Sequence, residues 1–150
     1  MVGRIDELLP SAKDFMKKLA LAEAEEAAKQ AKRNAQLEAE KKALLDKMAK
    51  PSGLSDEEAI QRAAKIIERA VSNGLSEVQV YRFPNHMTTD HGRAINQAEP
   101  GWEKTLTGVP KEIYDLWNRH FRERGYKLRA EITDFPGGVP GDCALILRWA

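Results

Sequence analysis

Only one cysteine, Cys143, and three histidines occur in the 150 residues. A single thiol excludes an intrachain disulfide and any four-cysteine zinc site. Cys143 opens an apolar stretch, CALILRW, and nothing near it in sequence would lower its pKa, so it reads as core packing rather than a reactive group. Long apolar runs are also missing. No stretch approaches the length of a membrane-spanning helix. The first fifteen residues, MVGRIDELLPSAKDF, lack the apolar run of about 7–15 residues that a secretory signal needs. The expectation is a cytoplasmic protein without a membrane segment. Charge of one sign is not in excess either: the net charge is +1, with +2 over residues 1–50 and −1 over residues 51–150. Bulk charge therefore names neither nucleic acid nor a lipid surface as a partner.

Glycine and proline are absent from residue 11 to residue 50. That segment is rich in Ala, Lys, Glu and Leu, the strong helix formers, and Ser11 follows Pro10 as an N-cap. A continuous helix over residues 11–49 would be about 58 Å long. Asp14–Lys18, Glu25–Lys29 and Glu38–Lys42 fall at i, i+4 with the acid first, the favourable order. Spacing of three and four from Leu21 picks out Ala24, Ala28, Ala31, Ala35, Glu38, Lys42, Leu45 and Ala49. This seam is mostly alanine with two charges inside it, which is poor for a leucine zipper. Larger apolar residues sit at the ends: Phe15, Met16 and Leu19, then Leu44, Leu45 and Met48. Residues 1–50 thus read as a helical arm, a spacer or weak coiled coil.

Lys50-Pro51-Ser52-Gly53 carries the break, with residues 51–53 as a linker and residues 54–150 as a compact domain. LSDEEAI reads as a helix start, with Ser55 as N-cap, Glu58 closing a capping box and Leu54 as a staple. Ala59, Ile60, Ala63, Ala64, Ile66, Ile67, Ala70 and Val71 make an apolar stripe at helical spacing, and Asn73-Gly74 ends it. Residues 77–83, EVQVYRF, read as a strand stopped by Pro84. After the 82–108 region comes a helix with Pro110 as its first residue, with Ile113, Leu116, Trp117, His120 and Phe121 as its buried stripe and Gly125 as its end. Residues 126–133 alternate as a half-buried strand, DFPGGVPGD is a turn, and Cys143–Trp149 is the last strand. The fold class expected is α+β: a two-layer domain of two helices on a three-stranded mixed sheet. Its order is helix, strand, loop, helix, strand, strand, preceded by the long N-terminal helix. The strand–helix–strand crossover makes the first two strands parallel.

Twenty-five residues from Pro84 to Gly108 lack clear periodicity, and loops of that length in compact domains are often functional. A short helix around residues 90–97 is expected inside it, with Thr89 as cap. His86, Asp90 and His91 match no recognised metal spacing, and no GxSxG, P-loop or GxGxxG is present. Arg82 ends the strand and Arg93 lies in the loop with His86 and His91 between them, so these four residues are the candidate anion-binding group. Trp102 reads as a plug that fixes the loop to the domain near Ile95 and Leu106. A second basic segment holds Arg119, Arg122, Arg124, Lys127 and Arg129 with Phe121 and Tyr126 between them. It is the nucleic-acid candidate, although both aromatics fall on faces expected to be buried. His120 is expected at the core edge.

No metal or cofactor is implied. The reading that follows is a non-enzymatic protein-interaction module whose arm self-associates or docks on a partner assembly. The alternatives are a small anionic ligand or an enzyme site in the 82–108 loop, and nucleic-acid binding through residues 119–129.

Overall fold

The computed structural model describes Ile5 and residues 8–150, and the rest of the expected arm, residues 1–4, 6 and 7, lies outside the described residues. The chain is α+β. A first helix, α1, runs from Ala12 to Ala49 without interruption. Ser11 caps it, its hydroxyl accepting from the Asp14 N–H at 3.2 Å. Asp14 in the first turn and Lys47 in the last oppose the helix dipole favourably. Lys29 pairs with Glu26 at 3.9 Å rather than with Glu25, an exposed contact of little energetic weight. Among the described residues no helix is long and apolar enough to cross a membrane.

The residues divide into two compact units, 1–44 and 45–150. In the first, no side chain of α1 is buried. The second unit takes in the last turn of α1, where Leu45 and Met48 are half-buried. It continues with α2 (Asp56–Ser72), β1 (Glu77–Phe83), α3 (Arg93–Asn96), α4 (Gly108–Leu116), β2 (Lys127–Ile132) and β3 (Cys143–Arg148). Ser55 caps α2 by accepting from the Glu58 N–H at 3.2 Å. At the other end Gly74 adopts φ +76°, and the Leu75 N–H reaches back to the Ala70 carbonyl, the left-handed stop that Asn-Gly favours.

The sheet corrects the expected mixed pairing. Strand order is β1-β3-β2 and both pairings are antiparallel. β1 and β2 do point the same way, but β3 lies between them, so no parallel pair exists. The physical reason is legible in the strands. Cys143 to Leu147 is an unbroken apolar run, 0–5% exposed throughout, the composition of a strand covered on both faces. β2 instead alternates Lys127, Arg129 and Glu131 with Leu128, Ala130 and Ile132, which suits an edge. β1 carries a bulge: Gln79 pairs with Ile146 and Tyr81 with Leu145, leaving Val80 as the extra residue. The bulge shifts phase, so that Val78, Tyr81 and Phe83 face the same way despite the adjacent Val80 and Tyr81.

The core gathers on that face. Phe83, Met87, Ile95, Leu106, Cys143 and Leu145 form one buried cluster, with Met48, Ile113, Tyr114 and Leu128 among the side chains packed against it. The opposite face carries Glu77, Arg82, Arg129, Glu131 and Arg148. There Arg129 reaches Glu77 at 2.5 Å, tying the two edge strands together across β3.

Helix α4 begins at Gly108, two residues before Pro110, with Thr107 as the residue preceding it. Beyond Leu116 it widens into a π-helical turn, Trp117–Phe121, then tightens over Arg122–Arg124 before Gly125 stops it at φ +90°. Gly108 itself sits at φ +60°. A Cβ there would collide with the Met48 carbonyl oxygen and lie 2.8 Å from Met87 Cε and 3.1 Å from Ala49 Cα. Absence of a side chain is therefore what lets the last turn of α1 seat on the core. Ser52 adds a bond, its N–H donating to the Glu112 carboxylate at 3.1 Å. Gly108→Ala imposes a left-handed alanine, costing about 1–2 kcal/mol per residue, and displaces Met48. Urea unfolding is expected to show a loss of about 2 kcal/mol or more, with faster hydrogen exchange at residues 45–49. Unchanged exchange there would mean that the turn is held by something else.

Candidate functional site

The 84–107 segment is an ordered two-limbed structure. After β1 a 3-10 turn covers Asn85–Met87, and a second covers Trp102–Thr105. The limbs pair through the Thr89 N–H to the Thr105 carbonyl at 2.8 Å and the Thr107 N–H to the Met87 carbonyl at 3.0 Å. Met87, Ile95 and Leu106 insert into the core. Trp102 packs against the same cluster and meets Tyr114 edge to face at 5.8 Å, as a plug would.

Asp90 organises the tip of this structure. Its carboxylate accepts from the Gly92 N–H at 3.2 Å and the Ala94 N–H at 2.9 Å, which opens the single helical turn α3. The expected short helix exists, but Asp90 rather than Thr89 holds its start. Burial pushes the Asp90 carboxyl upward, and the bonds from Ala94, Thr88 and Gly92, with Arg93 nearby, outweigh it and leave the group below its ordinary value. Gly92, at φ +80°, is buried, and a Cβ on it would lie 3.3 Å from Ile132 Cδ1 and 3.4 Å from Cys143 Sγ.

The four candidate anion ligands are placed as follows. Arg82 donates to Asp142 at 2.9 Å and stands 3.9 Å from Asp134. Arg93 donates to Glu99 at 2.9 Å. His86 and His91 are exposed, and His91 adopts φ +53°. The two guanidinium groups thus belong to two separate carboxylate pairs, and an anion would compete with those carboxylates. Among the described residues no group of three or more His, Cys, Asp or Glu side chains is placed to hold a metal ion.

In the basic segment most cations are likewise matched. Arg119 grips Asp56 with bonds of 3.0 and 3.3 Å. Arg124 bonds Glu123 and the His120 carbonyl, Arg129 bonds Glu77, and Arg122 lies over the Trp117 ring, 5.7 Å from its centroid. Lys127 is exposed. Phe121 and Tyr126 are half-buried and pack edge to face at 5.4 Å, so their rings are occupied with each other. His120 is not simply a core-edge side chain: its Nε2 lies 2.7 Å from Asp56 Oδ2. The bond with His120, and then that with Arg119, holds the Asp56 carboxyl below the ordinary carboxylate value.

From sequence, Asp90 is named only as a possible metal ligand beside His86 and His91, and Asp56 is not named, although both residues carry a local signal. Asp56 directly follows the capping serine, and Asp90 stands two residues before a glycine, a spacing that suits a side-chain turn. The Asp56–His120 pair borders a groove of about 340 Å³ lined by Ile60, Ala64, Ile67, Phe121 and Tyr126, with Glu68 and Arg124 at its edge. A carboxylate-held imidazole beside a groove can serve as a base. Among the described residues, however, no serine, threonine or cysteine lines the groove to act as nucleophile.

Cys143 is fully buried, and burial first, then Asp142 and Asp90, push its thiol up to about 11. Relative to the ordinary value of 9.0, the thiolate fraction at pH 8 falls about a hundredfold. Iodoacetamide is expected to label the native chain at pH 8 at least that much more slowly than the urea-unfolded chain. Comparable rates would refute the buried placement. For Asp90 the lowered folded value makes its contribution present above its ordinary 3.8 and lost as pH falls through the folded value. Asp90→Ala is expected to cost about 1 kcal/mol at pH 7, with the gap to the parent narrowing below pH 4 in thermal melts.

No family model, curated protein or solved structure matches the chain.

Proposed function

We propose that this chain is a non-enzymatic protein-interaction module, in which a two-layer α+β domain carries a helical arm that self-associates or docks on a partner assembly. The observation that carries the reading is the arm itself. Over residues 12–44 every side chain is exposed, although the segment includes Phe15, Met16, Leu19, Leu21, Leu37 and Leu44. Helices in proteins draw most of their stability from packing an apolar face, and among the described residues up to 44 this one has nothing to pack against. Large apolar side chains left in water recover about 1.5–3 kcal/mol each on burial, which favours association. The alanine seam from Ala24 to Ala35 permits close approach of a second helix, while Glu38 and Lys42 make the seam a weak zipper. The candidate arginines of the 82–108 loop and of residues 119–129 are largely engaged by carboxylates, and this weighs against the anion and nucleic-acid readings.

The test compares sedimentation of the full chain with residues 45–150, since the last turn of α1 packs with the domain. The full chain is expected to associate in the micromolar range and the shortened chain to remain monomeric. If both are monomers and amides of residues 12–44 exchange without protection, self-association is excluded. Affinity capture with the full chain, set against residues 45–150 as control, then decides the partner-assembly branch.

A further inference from the structure

We propose that two copies pair their arms antiparallel, centred level with Ala28, through the face that carries the large apolar side chains. The proposal rests on the arm-association reading and names its partner, face and register. Between residues 12 and 44 the exposed large apolar side chains are Phe15, Met16, Leu19, Leu21, Leu37 and Leu44. At about 100° per residue, all but Leu21 fall within about 100° of one another around α1. The seam from Ala24 to Ala35 lies on another side of the helix. Between its two apolar ends the face with the large side chains carries Glu23, Glu26, Gln30 and Arg33. A partner for this face must therefore meet apolar ends and a charged middle.

The same helix, reversed, is such a partner. Written as a heptad, Met16, Glu23, Gln30, Leu37 and Leu44 occupy one core position, and Ala12, Leu19, Glu26, Arg33 and Glu40 occupy the other. Antiparallel pairing sets the first series against the second. Centred level with Ala28, Leu19 meets Leu37, Ala12 meets Leu44, Glu23 meets Arg33 and Glu26 meets Gln30, each pair occurring twice by symmetry. Met16 meets Glu40, the one layer without a match. Lys29, 3.9 Å from Glu26 of its own chain, also comes within one residue of level with Glu26 of the second copy. A parallel pair in register instead sets Glu23, Glu26 and Arg33 each against itself, so like charges oppose through the middle. Sliding the antiparallel pair by one heptad puts Glu23 against Glu26 in one direction and against Glu40 in the other. The charged middle thus costs stability and specifies both orientation and register. α1 is one uninterrupted helix from Ala12 to Ala49 and cannot double back to make these pairs, so a second copy supplies the facing half.

Sedimentation equilibrium and cysteine cross-linking of the full chain test this. Leu19→Glu and Leu37→Glu change exposed positions, where glutamate keeps a high helix propensity, and each is expected to weaken association at least about tenfold. Ala35→Glu, on the alanine seam, is expected to leave it unchanged. Arg33→Glu is expected to weaken association, and adding Glu23→Arg to restore it. In a parallel pair Arg33→Glu only replaces one like-charged layer by another. Chains carrying Leu19→Cys and Leu37→Cys, oxidised together, are expected to give a mixed disulfide dimer, with little from either alone; Cys143 is buried and does not compete. If Leu19→Cys cross-links readily to itself, the arms run parallel. If Ala35→Glu dissociates the chain while Leu19→Glu and Leu37→Glu associate like the parent, the alanine seam is the interface. Either result overturns the proposal and leaves self-association standing. A full chain that stays monomeric well above the micromolar range overturns both.

Discussion

The compact unit depends on keeping one strand dry on both sides. β3 has no polar side chain from Cys143 to Leu147, so either face left open would expose a continuous apolar surface. This constraint places it at the centre of the sheet and dictates what its neighbours must supply. Leu128, Ala130 and Ile132 on β2, and Val78, Tyr81 and Phe83 on β1, extend the apolar face in register. On the other face, Ala144 and Ile146 are flanked by Arg82, Arg129 and Glu131, and the Arg129–Glu77 pair joins the edges across them. The charges do double duty there: they shield short apolar side chains and discourage edge-to-edge pairing with another sheet.

The long segment between β1 and α4 is a consequence of the same demand. A three-stranded sheet with one apolar face needs cover, and α2 buries only Ala70 completely. Met87, Ile95 and Leu106 supply the missing cover from the loop, which explains why 24 residues without helical or strand periodicity are nonetheless ordered. The backbone must turn sharply to deliver them. His91 and Gly92 take successive left-handed conformations, Asp90 satisfies the amides this exposes, and a Cβ at Gly92 would press on Ile132 and Cys143 at a left-handed φ that side chains rarely adopt. Gly108 performs a similar task for the last turn of α1, whose Met48 completes the cover. Backbone freedom at two glycines is thus converted into core packing.

Which parts of this were legible beforehand follows from the range over which each signal acts. Caps and stops are local, and Ser11, Ser55, Asn73-Gly74 and Gly125 act where the sequence places them. Strand order is not local. The connection rule correctly makes β1 and β2 run the same way, yet whether β3 joins the outside of β2 or the gap between the two depends on total burial, for which the unbroken run CALIL was the available clue. The π-helical turn at Trp117–Phe121 had no such clue. It is set by tertiary bonds, with Trp117 Nε1 donating to the Tyr126 carbonyl and His120 reaching Asp56, 64 residues away. The candidate site shows the same limit. Proximity of Arg82 and Arg93 in sequence suggested convergence, but the partners that hold them, Asp142 and Glu99, are chosen by the folded chain.

Electrostatic pairing also bears on where the molecule is free to interact. Within residues 45–150 the arginines at 82, 93, 119, 124 and 129 each face a carboxylate. Exposed pairs of this kind add little stability individually, but they remove the field that would steer a polyanion toward the surface. Charge is therefore largely settled inside the unit, whereas apolar burial is not. α2 leaves Ile60, Ala64 and Ile67 along an open groove, and α1 leaves its large side chains in water. Nonpolar surface among the described residues is left in water in both units, and on the proposed reading another polypeptide covers it. That imbalance, rather than any single side chain, is why the protein is best understood through what its helices cover.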